Sequence, residues 1–254
     1  MRNCIIGYSG FVGNKISKKK KFIKINSKNI QKIENKSFDV IYCAAPTGKK
    51  FIVNKNPLKD FKNIVKLIKI LKTVKCKKFI LISTIDIYQY KTNKVNEKYI
   101  PKKKYIESYG SNRLYFEEFI KKFFENHHVI RLPNLFGDGL KKNFIYDLIY
   151  RERIFINKKS VVQLFNLNKL NLYINKIIKK NIKCINLVSP PLKVLELNNL
   201  VKNKNKTFLG KLYKYNITSI HSYKFQKKSK YIISKTDIKK DFIRFYKKNS
   251  SHKN

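Results

Sequence analysis

Three side chains in the sequence could carry proton chemistry. Tyr109 and Arg113 stand four residues apart in a segment whose pattern predicts a helix, so their side chains share one face. A fixed cation favours the tyrosinate form, and we expect Arg113 to lower the pKa of Tyr109 from its ordinary value of about 10. Thr84 ends a predicted strand, where its hydroxyl could bind the same substrate oxygen. These residues indicate proton transfer with a hydroxyl or a ketone, although the spacing alone also fits a surface Tyr–Arg stack.

Three glycines follow the apolar residues 4–6 directly and could hold a diphosphate. Gly7 allows a tight turn out of the strand, Gly10 allows the main chain to approach a phosphate, and Gly13 allows a helix to pack against the strand. The amides and the positive dipole end of that helix would face the phosphates. Neighbouring residues predicted to contact the same ligand are Ser9, Phe11 and Val12.

Strands and helices alternate along the first 143 residues, which is typical of a parallel sheet covered by helices. Strands are predicted near residues 4–6, 22–25, 38–45, 78–82 and 129–132, and helices after the glycine turn, from 57 to about 71 and at 109–124. Later predictions are a turn-rich loop at 133–139, helices near 144–151, 169–180 and 194–201, and strands near 161–167 and 184–188. The predicted fold is therefore α/β, a Rossmann-like doubly wound parallel sheet with a small C-terminal substrate-binding lobe.

This organisation gives three predicted regions. Residues 1–143 form a dinucleotide-binding domain, residues 144–224 form a smaller substrate lobe interleaved with the sheet, and residues 225–254 form a basic segment of undefined structure. Ligands of open α/β sheets bind at the carboxyl ends of the strands. The residues expected at that edge, besides the glycine turn, are Ala44, Ala45, Pro46, Ser83, Thr84, Pro133 and Asn134.

Taken in order, these motifs resemble the extended short-chain dehydrogenase/reductase superfamily, and more narrowly the NAD-dependent epimerase/dehydratase family of nucleotide-sugar enzymes. The resemblance covers roughly residues 1–200. Gly7-x-x-Gly10-x-x-Gly13 matches the family's glycine motif, the segment 82–88 matches the strand that carries its catalytic Ser/Thr, and Tyr109-x-x-x-Arg113 matches its Tyr-x-x-x-Lys motif.

The resemblance implies a role for each matching residue. Tyr109 would be the acid/base, Thr84 its hydrogen-bonding partner, and Arg113 the cation that holds the nicotinamide ribose. Further contacts to cofactor or substrate are implied or predicted for Asn63, Ser83, Asp86, Pro133 and Asn134. Epimerisation, reduction and dehydration of a nucleotide-activated sugar all stay open, with dehydration least favoured.

Two departures from the family pattern bear on the cofactor. Arginine replaces lysine at position 113, and its planar head is not interchangeable with an ammonium. The second strand is followed by Asn26, Ser27 and Lys28, so the acidic residue that would bind a ribose 2′-hydroxyl is missing. Ser27 and Lys28 suit a 2′-phosphate instead. The expected cofactor is NAD or NADP, with a tilt toward NADP.

The net charge of +44 raises the question of a nucleic-acid partner. Lysines are spread over the whole chain rather than concentrated, so we interpret the charge as compositional drift that brings incidental affinity for polyanions. The alternative function is a non-catalytic NAD(P)-binding or RNA-binding member of the same fold. The apolar helices near 57–72 and 109–124 also predict a homodimer.

Composition places further limits. The four cysteines have neither Cys-x-x-Cys spacing nor a neighbouring histidine, which predicts reduced, buried thiols and no metal site. No apolar run approaches the roughly 20 residues that span a bilayer, and the first strand follows the start so closely that we expect no signal peptide. The prediction is a cytoplasmic protein without a membrane partner.

Overall fold

A computed structural model describes residues 2–18, 21–89, 93–201 and 206–250 of the chain. The strands are β1 (Asn3–Ile6), β2 (Ile23–Ile25), β3 (Ser37–Cys43), β4 (Lys75–Thr84), β5 (Asn93–Val95), β6 (His127–Leu132), β7 (Asn134–Phe136), β8 (Arg153–Ile154), β9 (Val161–Val162), β10 (Leu164–Asn166), β11 (Cys184–Asn186), β12 (Leu192–Lys193), β13 (Thr207–Phe208) and β14 (Asn216–Ile217). The helices are α1 (Phe11–Ser17), α2 (Lys50–Lys55), α3 (Pro57–Leu71), α4 (Ser108–Phe123), α5 (Phe144–Tyr150), α6 (Leu170–Lys179), α7 (Val194–Leu200) and α8 (Lys235–Ser250).

Six strands form the main sheet in the order β11-β6-β4-β3-β1-β2. β1 pairs in parallel with both β2 and β3, and β3 pairs in parallel with β4. The chain moves outward from β1 to β2 and then returns to the other side of β1 for β3. The strand order therefore reverses between β1 and β3, which is where open α/β sheets bind their ligands. The prediction of a Rossmann-like parallel sheet is confirmed.

Both faces of this sheet are covered. Along β1, Cys4 and Ile6 point to one face and Ile5 points to the other, and each is at most 2% exposed. Cys4 and Ile6 belong to the core cluster that includes residues of α3 and α4. Such continuous burial is expected for parallel strands that have helices on both sides.

Packing divides the chain into two units. The first contains the described residues of Met1–Gln89, Ile100–Arg131 and Lys169–Ile185, and the second contains those of Tyr90–Tyr99, Leu132–Asn168 and Asn186–Asn254. The functional boundaries predicted at residues 143 and 224 remain predictions. The glycine turn, β4, α2, α3 and α4 all belong to the first unit, which therefore contains most of the predicted site.

The predicted elements differ from the structure in several places, and the sequence analysis does not predict α2, β5, β8, β12, β13 or β14. The loop predicted at 133–139 contains the short strand β7, which pairs in parallel with β10. The strand predicted at 161–167 is two short strands, β9 and β10. The C-terminal segment left undefined contains α8, and residues 251–254 of that segment lie outside the described part of the chain.

The four cysteines are reduced thiols of differing burial. Cys4 and Cys43 are buried, Cys76 and Cys184 are half-buried, and all four are free of disulfides. Burial raises the pKa of Cys4 and of Cys43 to about 12. Within the described residues, no three His, Cys, Asp or Glu side chains are grouped as metal ligands would be. No helix in that part of the chain is both long and apolar enough to cross a bilayer.

Candidate active site

The glycine turn lies at the reversal point of the sheet. Gly7 follows β1 with a φ of +86°, and a Cβ atom there would come within 2.9 Å of the Ala44 carbonyl that follows β3. The Gly7 amide donates a hydrogen bond of 2.8 Å to the carbonyl of Ile25 at the end of β2. A Cβ atom on Gly13 would overlap the carbonyl oxygen of Gly7, so only glycine lets α1 rest on the turn. The carboxyl ends of β1, β2 and β3 therefore meet at this turn.

The start of α1 suits a bound phosphate. Gly10 is the N-cap, with extended backbone, and no side chain of the described residues caps the helix there. The first turn of α1 contains no acidic residue that would repel an anion. A Cβ atom on Gly10 would meet only the Gly7 carbonyl oxygen, at 3.4 Å. Ser9 is exposed beside this opening, and Phe11 and Val12 are half-buried.

The segment after β2, where the sequence predicts contacts to the cofactor, is a hydrogen-bonded turn. The Asn26 side-chain oxygen accepts a hydrogen bond of 2.9 Å from the Lys28 amide, which fixes a turn. Ser27 and Lys28 are both exposed on this turn. Their exposure leaves both side chains accessible to a ligand.

The helix that carries Tyr109 is held against the segment that follows Thr84. A Cβ atom on Gly110 would overlap the carbonyl oxygen of Asp86, so the first turn of α4 lies directly on that backbone. The amide of Tyr109 donates a hydrogen bond of 2.9 Å to the side-chain oxygen of Asn54 in α2. The structure thus brings Tyr109 to the end of β4.

Thr84 and Asp86 form a local hydrogen-bonded pair. The Thr84 hydroxyl donates to one Asp86 carboxylate oxygen at 3.1 Å and accepts from the Asp86 amide at the same distance. Thr84 is 9% exposed and Asp86 is half-buried. The orientation of the Thr84 hydroxyl is therefore fixed by Asp86.

Arg113 makes contacts that its spacing from Tyr109 does not reveal. Its guanidinium lies 4.5 Å from the centre of the Tyr109 ring. It also forms a two-pronged ion pair with Asp60 of α3, at 2.8 and 3.1 Å, and donates to the Thr47 carbonyl at 2.6 Å. Arg113 and Asp60 are each 5% exposed. Most of the guanidinium is thus committed to Asp60 and to the loop after β3.

The expected lowering of the Tyr109 pKa is wrong in its net direction. Burial of the phenol, which is 8% exposed, raises its pKa above the ordinary value. The charge of Arg113 opposes this rise, the carboxylate of Asp86 adds to it, and the ammonium of Lys50 opposes it. The phenol therefore keeps its proton at neutral pH.

Lys50 is the residue of this site that sequence reasoning missed. Its ammonium lies 2.8 Å from an Asp86 oxygen and 3.0 Å from a Glu107 oxygen. One lysine among the 59 basic residues of the chain carries no distinguishing signal. Only its position at the start of α2, directly after the loop that follows β3, could have suggested it.

Several predicted ligand-binding residues have other or unassigned contacts. The Ser83 hydroxyl donates to Glu117 at 2.5 Å, in a buried cluster that also contains Arg131. Asn63 is exposed on α3. Ala44, Ala45 and Pro46 are half-buried after β3, beside the glycine turn.

Pro133 and Asn134 belong to the second unit. The Asn134 side-chain amide donates to the Gln163 carbonyl at 3.3 Å. Their contacts to a cofactor or substrate remain predictions.

A family model described as the NAD dependent epimerase/dehydratase family matches residues 13–152 of the chain. No curated protein sequence matches it.

Solved structures with the same fold cover nearly the whole chain. A dTDP-4-dehydrorhamnose reductase from Bacillus anthracis, in complex with NADP, matches with a TM-score of 0.76 and 15% identity over 97% of this chain and 98% of its own. A UDP-N-acetylglucosamine 4-epimerase from Methanobrevibacter ruminantium, in complex with UDP-N-acetylmuramic acid, matches with a TM-score of 0.73 and 14% identity, over 99% of this chain and 98% of its own. A UDP-glucuronic acid 4-epimerase from Bacillus cereus, in complex with UDP-glucuronic acid and NAD, matches with a TM-score of 0.72 and 18% identity, over 98% of this chain and 100% of its own.

Proposed function

Because the chain belongs to the NAD dependent epimerase/dehydratase family, we propose that it is an NAD(P)-dependent enzyme acting on the sugar of a nucleotide-activated sugar. The observation that carries the proposal is that Gly110 holds Tyr109 against the end of β4, beside Thr84, on the same sheet edge as the glycine turn. A proton-transfer group and a phosphate-binding turn on one edge are what a hydride-transfer enzyme of this fold requires.

The residues present fit a dinucleotide. The uncapped first turn of α1 with Gly10 would receive the diphosphate, and the half-buried residues Ala44–Pro46 would line its path along the sheet edge. Ser27 and Lys28 are exposed where a ribose 2′-phosphate would lie, which supports NADP over NAD. When bound, the reduced cofactor would supply the hydride.

Tyr109 would supply the proton. Because burial raises its pKa, the phenol is protonated at neutral pH and can donate to a carbonyl oxygen as that carbonyl is reduced to an alcohol. The Thr84 hydroxyl would donate to the same oxygen once its one proton turns from the Asp86 carboxylate to the substrate. A protonated phenol favours reduction of a keto-sugar over the proton removal that begins an epimerisation. Epimerisation is therefore the second reaction of this class, and dehydration remains least favoured.

Cofactor binding is the first test. Titration of the purified protein with NADPH and NADH, followed by cofactor fluorescence, should show saturable binding with NADPH tighter. The double variant S27A/K28A should weaken NADPH and leave NADH unchanged, while K32A, at an exposed lysine beyond this turn, should alter neither. Absence of binding by both cofactors ends the proposal.

Turnover is the second test. NADPH oxidation in the presence of nucleotide-activated 4-keto-sugars should fall about 10²- to 10⁴-fold in Y109F, the usual contribution of a positioned acid. Y115F, on the same helix but with its ring packed 5.0 Å from Phe61, is the matched control and should retain activity. Equal activities of the two variants would remove Tyr109 from the mechanism.

The second candidate function is a non-catalytic NAD(P)-binding or RNA-binding protein of this fold. The commitment of Arg113 to Asp60, together with the net charge of +44, favours this alternative. It predicts tight RNA binding at physiological salt that Y109F does not change, and no turnover. A turnover of the wild type that Y109F abolishes would favour the enzyme instead.

A further inference from the structure

Lys50 lies between two carboxylates at the start of α2. Its ammonium is 2.8 Å from an oxygen of Asp86 and 3.0 Å from an oxygen of Glu107, and the three side chains are only 27%, 21% and 19% exposed. Partly buried ion pairs of this kind are screened less than surface pairs. Lys50 therefore differs from the many exposed lysines of this chain.

Contacts from the two carboxylates lead to both proposed catalytic residues. The other Asp86 oxygen accepts the hydrogen bond of the Thr84 hydroxyl at 3.1 Å. The Glu107 oxygen bound by Lys50 also accepts from the Asn54 side-chain amide at 3.2 Å. The Asn54 oxygen in turn accepts the Tyr109 amide at 2.9 Å.

The partners of Arg113 differ from those of Lys50. Its guanidinium is paired with Asp60, so that the two charges offset one another, and it also contacts the Thr47 carbonyl and the Tyr109 ring. Although Arg113 occupies the family's lysine position, the ammonium group that pairs with Asp86 and also acts on the charge of Tyr109 belongs to a different helix.

We propose that Lys50 is a positioning residue of the active site: by holding Asp86 and Glu107, it fixes the Thr84 hydroxyl and the first turn of α4, and it sets the charge beside Tyr109. The inference deepens the proposed function, since the catalytic roles of Thr84 and Tyr109 belong to that function. The positioning itself is a property of the free protein.

The charges around Tyr109 predict that two substitutions will shift its pKa in opposite directions. The phenol is faced by Arg113 on its own helix, by Asp86 after β4 and by Lys50 from α2, while Glu107 and Asp60 pair with these cations. Removing the Lys50 ammonium exposes the phenol to the Asp86 carboxylate, which disfavours tyrosinate. Removing the Asp86 charge does the reverse.

The test uses the free protein, labelled with carbon-13 at tyrosine Cζ. The Tyr109 resonance is assigned by its loss in Y109F, and its titration is followed by NMR. The midpoint should move to higher pH in K50M and to lower pH in D86N. K49M, at the exposed neighbouring lysine, is the matched control and should leave it in place. K50R should return it toward the wild-type value.

Several outcomes would overturn the proposal: an unmoved midpoint in K50M, equal shifts in K50M and K49M, or shifts of the same sign in K50M and D86N. If K50M does not fold, the titration midpoints of Tyr109 in D86N and K50R are compared instead. Because arginine keeps the ion pair with Asp86, the midpoint should shift in D86N and not in K50R.

Turnover is measured separately on the same variants. If the protein is active, K50M should lower kcat about 10- to 100-fold, the cost of misplacing reacting groups, and K49M should not. If no cofactor binds but the NMR shifts occur, the proposed function fails while the role of Lys50 stands. If the cofactor binds and the NMR shifts are absent, the proposed function stands while the role of Lys50 fails.

Discussion

The ion pair between Arg113 and Asp60 should be a main support of the helix pair that carries the site. Asp60 accepts two hydrogen bonds from Arg113 and one of 2.9 Å from the Asn112 side chain, and both charged groups are 5% exposed. Asp60→Ala would leave a guanidinium buried with the Thr47 carbonyl as an acceptor but no counter-charge. A buried charge deprived of its partner is strongly destabilising.

The expected cost can be estimated from that burial. Removing one partner of a buried ion pair typically costs about 3–5 kcal/mol. For a chain of this size, 1 kcal/mol corresponds to roughly 2–4 °C in Tm, so D60A should lower Tm by at least about 6 °C. The pair itself is worth less, because an apolar replacement of both groups avoids the cost of burying charge. The double variant D60A/R113M should therefore recover much of the loss.

Thermal and urea unfolding of the wild type, D60A, R113M and the double variant form a complete cycle. D39A is the matched control, because Asp39 pairs with Lys77, whose side chain is 82% exposed, and a surface pair contributes about 1 kcal/mol or less. The reasoning is refuted if D60A lies within about 1 kcal/mol of the wild type, or if the double variant is no more stable than D60A.

Three further predictions follow from the same structure. Burial would raise the pKa of Glu117, but the charge and hydrogen bonds of Arg131 lower it on balance, so Glu117 stabilises the fold above its ordinary pKa and loses this effect as the pH falls through the lowered value. E117Q should therefore be less stable than the wild type at pH 7, and its free energy of unfolding, measured in urea, should fall less as the pH is lowered. An equal loss of stability with falling pH in both proteins would contradict this. G110A should cost about 2–3 kcal/mol, because its Cβ atom must displace the Asp86 carbonyl, whereas G48A, with open space around its Cβ, should cost far less. Cys43, buried and with its pKa raised to about 12, should escape iodoacetamide at pH 8 until the protein is unfolded, as mass spectrometry of the modified peptide would show.

The predicted sheet was confirmed because its signals are local. A short buried strand followed by spaced glycines, as at Gly7 and Gly13, requires a specific turn, and the following strands are apolar runs between helical patterns. The short strands of the second unit were less predictable. β7 and β10 each span three residues and gain their definition from pairing with one another.

Helix α8 shows a signal that was present but overlooked. The Ser234 hydroxyl accepts a hydrogen bond of 3.0 Å from the Asp237 amide, as an N-cap side chain does, and donates to the Asp237 carboxylate at 2.7 Å. Ile238, Phe242 and Phe245 then follow at helical spacing and are buried. The surrounding lysines hid this apolar stripe, because their charge dominates the composition of the segment.

The candidate site likewise contains residues that local motifs indicate and residues that only long-range contacts reveal. Tyr109, Thr84 and the glycines belong to local motifs that can be recognised in the sequence, and their roles in the site stay predictions. Asp60 and Lys50 act through partners 53 and 36 positions away, a separation that no spacing rule covers. The direction of the Tyr109 pKa shift also depends on burial, which a helical Tyr–Arg spacing does not report.

The arginine at position 113 is best understood together with Asp60. A guanidinium has a planar fork that binds a carboxylate through two hydrogen bonds, and Asp60 offers that carboxylate from the facing helix. This pairing joins α3 to α4 but offsets the charge that a lysine there would present to the phenol. A lysine on α2, paired with Asp86 and Glu107, supplies a second positive charge that acts on the same phenol. Under this interpretation, R113K alone would weaken the helix pair without supplying a new active-site cation, since Asp60 would still bind the ammonium. Only R113K/D60N would leave that ammonium without its carboxylate partner, and it should lower the Tyr109 titration midpoint more than R113K does.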